Sequence, residues 1–392
     1  MNASNFQSVF SFVLPTKIVF GPGSVKTISE HLTELGVSRP LIVTDAGVSA
    51  AGVLDKVLQV LPKSAAFNVF DKVAANPRDI NVASGAEAYR AFAADGIIAI
   101  GGGSPMDSAK AIGTLLTHGG KVRDWCGRGL LKRDITPLIA IPTTAGTGSE
   151  VTYCSVITDT REHMKLTISD PRTAPKAALV DPLVLMNLPP HIMASTGIDA
   201  MTHAVEAYTC TQATPHSDAY AIFAIELVSK HLRNAVRSPD LASCTGMMLA
   251  SNTAGIAFGR ADVAGVHCMA EALGGMYDTP HGVANAALLP TVTEFNMHFD
   301  YEKHANIAKA MGVDINGMAP KEAAERAATE LRKLCDDVGI PKIRDIPGIS
   351  PDDFPALAEA SAKNVSAGSN PGQPAAREFL ELFKKAYSTE PI

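Results

Sequence analysis

The chain has 392 residues, 46% of them hydrophobic and 19% charged, with a formal net charge of −6 at pH 7. That length exceeds one compact core and argues for two domains, while the acidic balance gives no reason to expect nucleic acid or an anionic membrane as partner. No apolar run reaches the roughly 18 residues of a membrane-spanning helix, which excludes an integral membrane protein of the helical kind.

Residues 1–20 lack a basic stretch followed by a long apolar core, so no signal peptide is expected. Cys126, Cys154, Cys210, Cys244, Cys268 and Cys335 are dispersed without a C-x-x-C pair. Reduced thiols in a cytoplasmic enzyme are the simplest reading.

Short apolar runs at 17–20, 40–44, 65–70, 96–100 and 137–141 read as strands, with helical patterns at 23–35, 51–61, 80–94 and 104–116 between them. This alternation predicts a parallel sheet with helices on both faces. The run at 96–100 enters Gly101-Gly102-Gly103-Ser104, then Asp107 and Lys110. Glycines allow close backbone approach to a pyrophosphate, Ser104 is a candidate N-cap, and the helix that follows turns its positive end to the phosphates. The loop departs from G-x-G-x-x-G and so from the ordinary dinucleotide fingerprint. A second polar loop, Pro142 to Glu150, follows the next strand end, where open α/β sheets bind ligands. Residues 151–159 and 165–168 read as a hairpin, and 177–180 as one more buried strand.

From Pro189 the texture becomes helical, at 194–209, 217–236, 241–258 and 283–297, which puts the domain boundary near Asn187: an α/β dinucleotide-binding domain at 1–187 and an all-α metal-binding domain at 188–392. Within the second, Asp199 and His203 are four residues apart and share a helix face. His267 and His281 follow. One carboxylate and three imidazoles suit a borderline divalent metal.

Two stretches, Gly197 to Tyr208 and Gly265 to Gly282, together with Ile18 to Gly23 near the start, resemble the iron-containing, group III alcohol dehydrogenases, and the resemblance runs nearly end to end. It implies reversible hydride transfer between an alcohol carbon and a nicotinamide, with NAD and Fe(2+) as cofactors; zinc suits the same ligand set. It implies Asp199, His203, His267 and His281 as metal ligands. It implies Asp45, Asn76, Gly102, Gly103, Ser104, Asp107, Thr143, Thr144, Thr147 and Lys165 as cofactor contacts. Asp45, at the end of a strand, accepts hydrogen bonds from ribose hydroxyls and repels a 2′-phosphate, which favours NAD over NADP; capping of the next helix is its plain structural role. The family also implies a homodimer built partly from the N-terminal stretch 6–14.

The sequence departs from the family at Glu271, where a histidine is usual, and at Arg260. If one helix ran through both Arg260 and His267, the guanidinium would share the metal's face and could clamp an anionic group. Arg260 and Glu271 are therefore candidate catalytic residues, and the expected reaction is reduction of a short aldehyde, anionic (sulfonate, phosphonate or carboxylate) on this reading. The alternatives are a plain short-chain alcohol or diol dehydrogenase, a member of the related zinc-dependent glycerol or polyol-phosphate group and, from another class, a metal-dependent hydrolase. The Gly/Thr loops have no job in a hydrolase.

Overall fold

The computed structural model describes residues 9–63, 65–162 and 164–388, which form two compact units. The first, Leu14–Leu188, is built on the strands β1 (Lys17–Phe20), β2 (Pro40–Val43), β3 (Asn68–Phe70), β4 (Gly96–Gly101), β5 (Gly127–Arg128), β6 (Leu138–Pro142), β7 (Cys154–Asp159), β8 (Met164–Ser169) and β9 (Ala177–Val180). Six of them make a sheet in the order β1-β9-β6-β4-β2-β3, every pair parallel.

The central strands are apolar on both sides, as a parallel sheet covered by helices requires. Leu41, Val43, Ile97, Ala99, Leu138 and Ala140 join one core with Val82 and Ala86 of α4 (Asp79–Phe92) and Met106 and Ile112 of α5 (Gly103–His118). The alternate residues Ile42, Ile98, Ile100, Ile139 and Ile141 face the opposite core. There they meet Ile28 and Leu32 of α1 (Ile28–Glu34) and Val53 and Val57 of α3 (Val53–Leu58). The helix expected at 51–61 forms as the shorter α3, and a helix not expected, α2 (Ala46–Ala50), precedes it; Gly52, at φ 68°, reverses the chain between the two. Only glycine takes that backbone without strain.

The expected hairpin forms as antiparallel β7 and β8, and β5 pairs parallel to β8 as a third strand. Val151, read as the first residue of a strand, belongs instead to a single helical turn at 149–151, and the strand starts at Cys154.

The second unit comprises residues 189–388 together with the segment 9–13, whose expected home was the α/β domain. Its helices are α6 (Pro190–Thr209), α7 (Pro215–Arg237), α8 (Leu241–Phe258), α9 (Gly265–Tyr277), α10 (His281–Asn296), α11 (Tyr301–Ala310), α12 (Pro320–Asp337), α13 (Phe354–Ala362) and α14 (Ala376–Ser388). α6 is buried almost all round, the signature of a central helix. Gly197 and Gly282 let neighbours close on it. A Cβ on Gly197 would stand 2.3 Å from Leu232 of α7, and one on Gly282 would stand 2.8 Å from the backbone oxygen of Ser195. No described helix is long and apolar enough to cross a membrane.

Candidate metal centre and dinucleotide loops

On α6, Asp199, His203 and Glu206 follow at i, i+4 and i+7, so all three leave the same face of a buried helix. The close approach at Gly282 sets His281, the first residue of α10, against this face. His267 comes from the first turn of α9. Ligand atoms of Asp199, His203, His267 and His281 all lie within 4.8 Å of one another. With bonds of roughly 2.1 Å, ligands on one ion lie at most about 4.2 Å apart, so small side-chain movements close the set on a cation.

The tautomers fit a metal as well. Nδ1 of His267 lies 2.5 Å from a carboxylate oxygen of Glu206 and donates its hydrogen there, so Nε2 carries a bare lone pair. That lone pair points at Nε2 of His203, 3.0 Å away, and at the amide of Asn285. His203 Nδ1 and Asn285 Oδ1 are buried polar atoms without a hydrogen-bond partner. A cluster that leaves such atoms unpaired makes sense when an ion completes it.

The charges around His203 and Asp199 act in the same direction. Burial, reinforced by the neighbouring His267 and His281 and only partly opposed by Asp199, pushes His203 down to about 3, so it is neutral at pH 7. Burial works against the Asp199 carboxylate, but His203, His281 and His267, with a hydrogen bond from Asn285, hold it below its ordinary value. For His267, burial alone would lower the value; Glu206, through charge and hydrogen bond, with Asp199 and Glu271, raises it instead.

Glu206 is a functional residue that the sequence reading missed. Its carboxylate also accepts from the backbone N–H groups of Ala264 at 2.9 Å and Val266 at 2.6 Å and so, with Oδ1 of Asn370 on the N–H of Gly265 at 3.0 Å, caps the start of α9, whose own N-cap residue Ala264 offers no capping side chain. One side chain thus helps to start the helix, and orients the imidazole, that the centre needs. Its spacing of three from His203 was the available clue.

The proposed helix through Arg260 and His267 does not exist. α8 ends at Phe258 and α9 begins at Gly265, with Asp262 between them held by the hydroxyls of Ser366 (3.0 Å) and Ser369 (2.8 Å). Arg260 instead donates through Nε to the carbonyl of Val13 and through Nη1 to that of Gly259 at 2.8 Å. Glu271 does follow His267 by one turn of α9, and it accepts a hydrogen bond from Asn364 at 2.7 Å.

In the α/β unit, the two polar loops lie side by side. A Cβ on Gly102 would meet Oγ1 of Thr144 at 3.1 Å, and one on Gly103 would meet Cγ2 of Thr147 at 3.0 Å. The backbone of Thr143 donates to the carbonyl of Gly101 at 3.0 Å. Ser104 is not the N-cap expected of it: Gly102 holds that place with no side-chain cap, and the Ser104 hydroxyl donates to the carbonyl of Ala75 at 2.5 Å. The first turn of α5 therefore offers the N–H groups of Gly103 and Ser104 without a competing side chain, the arrangement a phosphate exploits, while Pro105 has none to offer.

Asp107 accepts from the hydroxyl of Ser149 at 2.8 Å and the backbone of Val156 at 2.9 Å. Beside it, Lys110 is wholly buried, donating to Ser149 (2.8 Å), Thr152 (3.2 Å) and the carbonyl of Cys154 (2.9 Å). Burial lowers its pKa against the attraction of Asp107. This pair shapes the second loop, and the sequence reading gave Lys110 no role. Lys165 and Asn76 come together, Nζ to Oδ1 at 3.2 Å, with the Thr158 hydroxyl also accepting from Nζ at 3.0 Å. Asp45, at the end of β2, caps α2 through the N–H of Val48 at 2.9 Å, the plain structural role named for it above.

A cluster that could hold a metal ion in a helical unit and an uncapped helix after a parallel strand in an α/β unit point to a class: a metal-dependent dinucleotide oxidoreductase. Comparison with known proteins names it. The family model of the iron-containing alcohol dehydrogenases matches residues 15–182, and the C-terminal model of the same family matches 193–387. The chain belongs to the iron-containing alcohol dehydrogenase family.

It is 41% identical over 384 residues to the 1,3-propanediol dehydrogenase of Citrobacter freundii, covering 97% of this chain and 99% of that protein. It is 39% identical over 372 residues to the lactaldehyde reductase of Escherichia coli (strain K12), covering 94% and 97%. Among solved structures, one of a 1,3-propanediol oxidoreductase superposes with a TM-score of 0.94 at 40% identity, over 97% of this chain and 100% of that one. A sulfoacetaldehyde reductase from Bifidobacterium kashiwanohense, in complex with NAD+, superposes at 0.88 with 27% identity, over 98% and 100%.

Proposed function

We propose that this protein is an NAD(H)- and iron-dependent oxidoreductase that interconverts a small primary alcohol and its aldehyde, working chiefly as an aldehyde reductase. The observation that carries this reading is the convergence of Asp199, His203, His267 and His281 within 4.8 Å. A divalent cation held there supplies a Lewis acid for an alcohol or carbonyl oxygen, and the nicotinamide supplies the redox chemistry. The chain's own part is orientation. Glu206 fixes the His267 ring, burial keeps His203 neutral, and Asp199 contributes the anionic ligand. In the α/β unit, the free first turn of α5 and the hydroxyls of Thr143, Thr144 and Thr147 suit a pyrophosphate, with Asn76 and Lys165 placed for a ribose.

The substrate we infer is a short uncharged aldehyde, with a second hydroxyl group tolerated. Glu271 stands one turn beyond His267, and the charges that bear on His267 come from Glu206, Asp199 and Glu271, all carboxylates. An anionic substrate would meet those carboxylates offset by the bound cation alone, since the guanidinium expected to help is engaged with Val13 and Gly259. The likeness to the sulfoacetaldehyde reductase is what keeps the anionic reading as the competitor. The test compares NADH-dependent reduction of propanal with that of succinic semialdehyde, phosphonoacetaldehyde and sulfoacetaldehyde by iron-loaded protein. Higher kcat/KM for propanal is expected; a tenfold preference for any of the anions, lost in Arg260→Ala, would reverse the assignment.

The homodimer also belongs to this proposal. Residues 6–8 of the expected interface stretch 6–14 lie outside the described residues. Of the rest, Phe12 stacks on Tyr220 of α7 at 5.8 Å, while Val9, Phe10 and Val13 stay exposed and apolar, as does Phe223 of α7. An apolar strip of this kind suits a second copy of the chain. Light scattering at micromolar concentration should give twice the chain mass; a monomer contradicts it.

A further inference from the structure

Asn285 sits one helical turn after His281 on α10 and is wholly buried. Its amide nitrogen lies 2.7 Å from Oδ1 of Asp199, 3.2 Å from Nε2 of His267 and 3.1 Å from Nε2 of His281. Three of the four ligands of the metal centre therefore converge on one amide group. An NH2 has two hydrogens and no acceptor capacity, so it is attracted to a carboxylate oxygen and to ring nitrogens that carry lone pairs. His267 presents such a lone pair because its Nδ1–H is committed to Glu206.

The other end of the amide shows that this orientation is imposed. Oδ1 of Asn285 is buried and has no hydrogen-bond partner. Exchanging oxygen and nitrogen would not help, since Oδ1 would then face the Asp199 carboxylate and two ring lone pairs. The side chain leaves its carbonyl unpaired in order to aim its NH2 at the ligands. A buried asparagine with a merely structural duty has both ends satisfied, as Asn370 does with Asn296 and Gly265 further along.

We propose that Asn285 is a positioning residue of the metal centre: its amide donates to Oδ1 of Asp199 and fixes that carboxylate, whose other lone pairs stay free to ligate, and its contacts to Nε2 of His267 and His281 keep both rings turned toward the centre until an ion takes their lone pairs. The inference rests on the reading of these four side chains as metal ligands. Partners of this kind typically contribute 10–100-fold in metal affinity.

The experiment is a cobalt(II) titration of metal-stripped full-length protein against a chromophoric chelator, with the visible spectrum of the bound cobalt recorded. Wild type, Asn285→Ala and Asn285→Ser are compared with Asn296→Ala, which removes a buried amide from the same helix away from the ligands. Both alanine variants should lower the melting temperature. Only Asn285→Ala should weaken cobalt binding, by tenfold or more, and alter the spectrum; Asn285→Ser, which keeps one donor, should lose less. It also serves as the test if the alanine variant does not fold. Wild-type affinity and an unchanged spectrum in whichever Asn285 variant folds would overturn the positioning role alone. Failure of wild type to bind cobalt in a manner that His281→Ala abolishes would overturn the metal centre and this inference with it.

Discussion

The two units solve the problem of presenting polar groups in opposite ways. In the helical unit Asp199, His203, Glu206 and His267 are buried, with His281 half-buried, and the buried ones are held by others: Glu206 by two backbone amides and His267, Asp199 by Asn285, His203 between Asp199 and His267. In the α/β unit the candidate groups are backbone N–H groups of an uncapped helix and threonine hydroxyls on loops, while the buried Lys110 holds Ser149 of the second loop. A cation demands fixed lone pairs in a dry place, where removing one partner strands another. A dinucleotide is long and recognised by many weak contacts, so single losses there should matter less.

The sharpest way to break this contrast is Glu206→Gln. The amide keeps the volume but puts a donor beside the Ala264 and Val266 N–H groups and weakens the hold on His267. Metal affinity should fall about 10–100-fold, read by competition with a chelator. A change below twofold would mean that His267 orients itself without its partner.

A smaller effect is expected at Asp45. Asp45→Gly removes the carboxylate at the end of β2 together with the cap on α2. The ratio of kcat/KM for NADH to that for NADPH should drop several-fold, while the absolute rate with NADH stays within about an order of magnitude, since a lost cap costs roughly 1 kcal/mol. Equal efficiency with the two cofactors in wild type would refute the assigned preference at once.

The same contrast explains what could be read in the sequence. The strands were legible because a doubly covered parallel sheet writes itself as continuous apolar runs such as Gly96–Gly101. Asp199 and His203 were legible because their pairing is local on one helix, and His267 and His281 because their surrounding stretches resemble a known family. Glu206 and Asn285 were not, since their partners lie 61 and 86 residues away and only the packing of α6, α9 and α10 brings them together. The continuous helix through Arg260 failed for a related reason. Nothing local forbids it, but Ser366, Ser369 and Glu206, all distant in sequence, capture Asp262, Ala264 and Val266 and hold the chain in another path. At Gly52 the local signal is present: a glycine at φ 68° marks where α3 starts, one residue inside the expected bound of 51.

The account stands or falls on the metal centre, and elemental analysis of purified protein tests it most directly. Iron supplied during purification should be retained at one ion per chain in wild type and at well under one tenth of that in His281→Ala, with both proteins showing the same far-ultraviolet circular dichroism. Equal metal content in the two, or full NADH-dependent activity in wild type stripped of metal by a chelator, would contradict it.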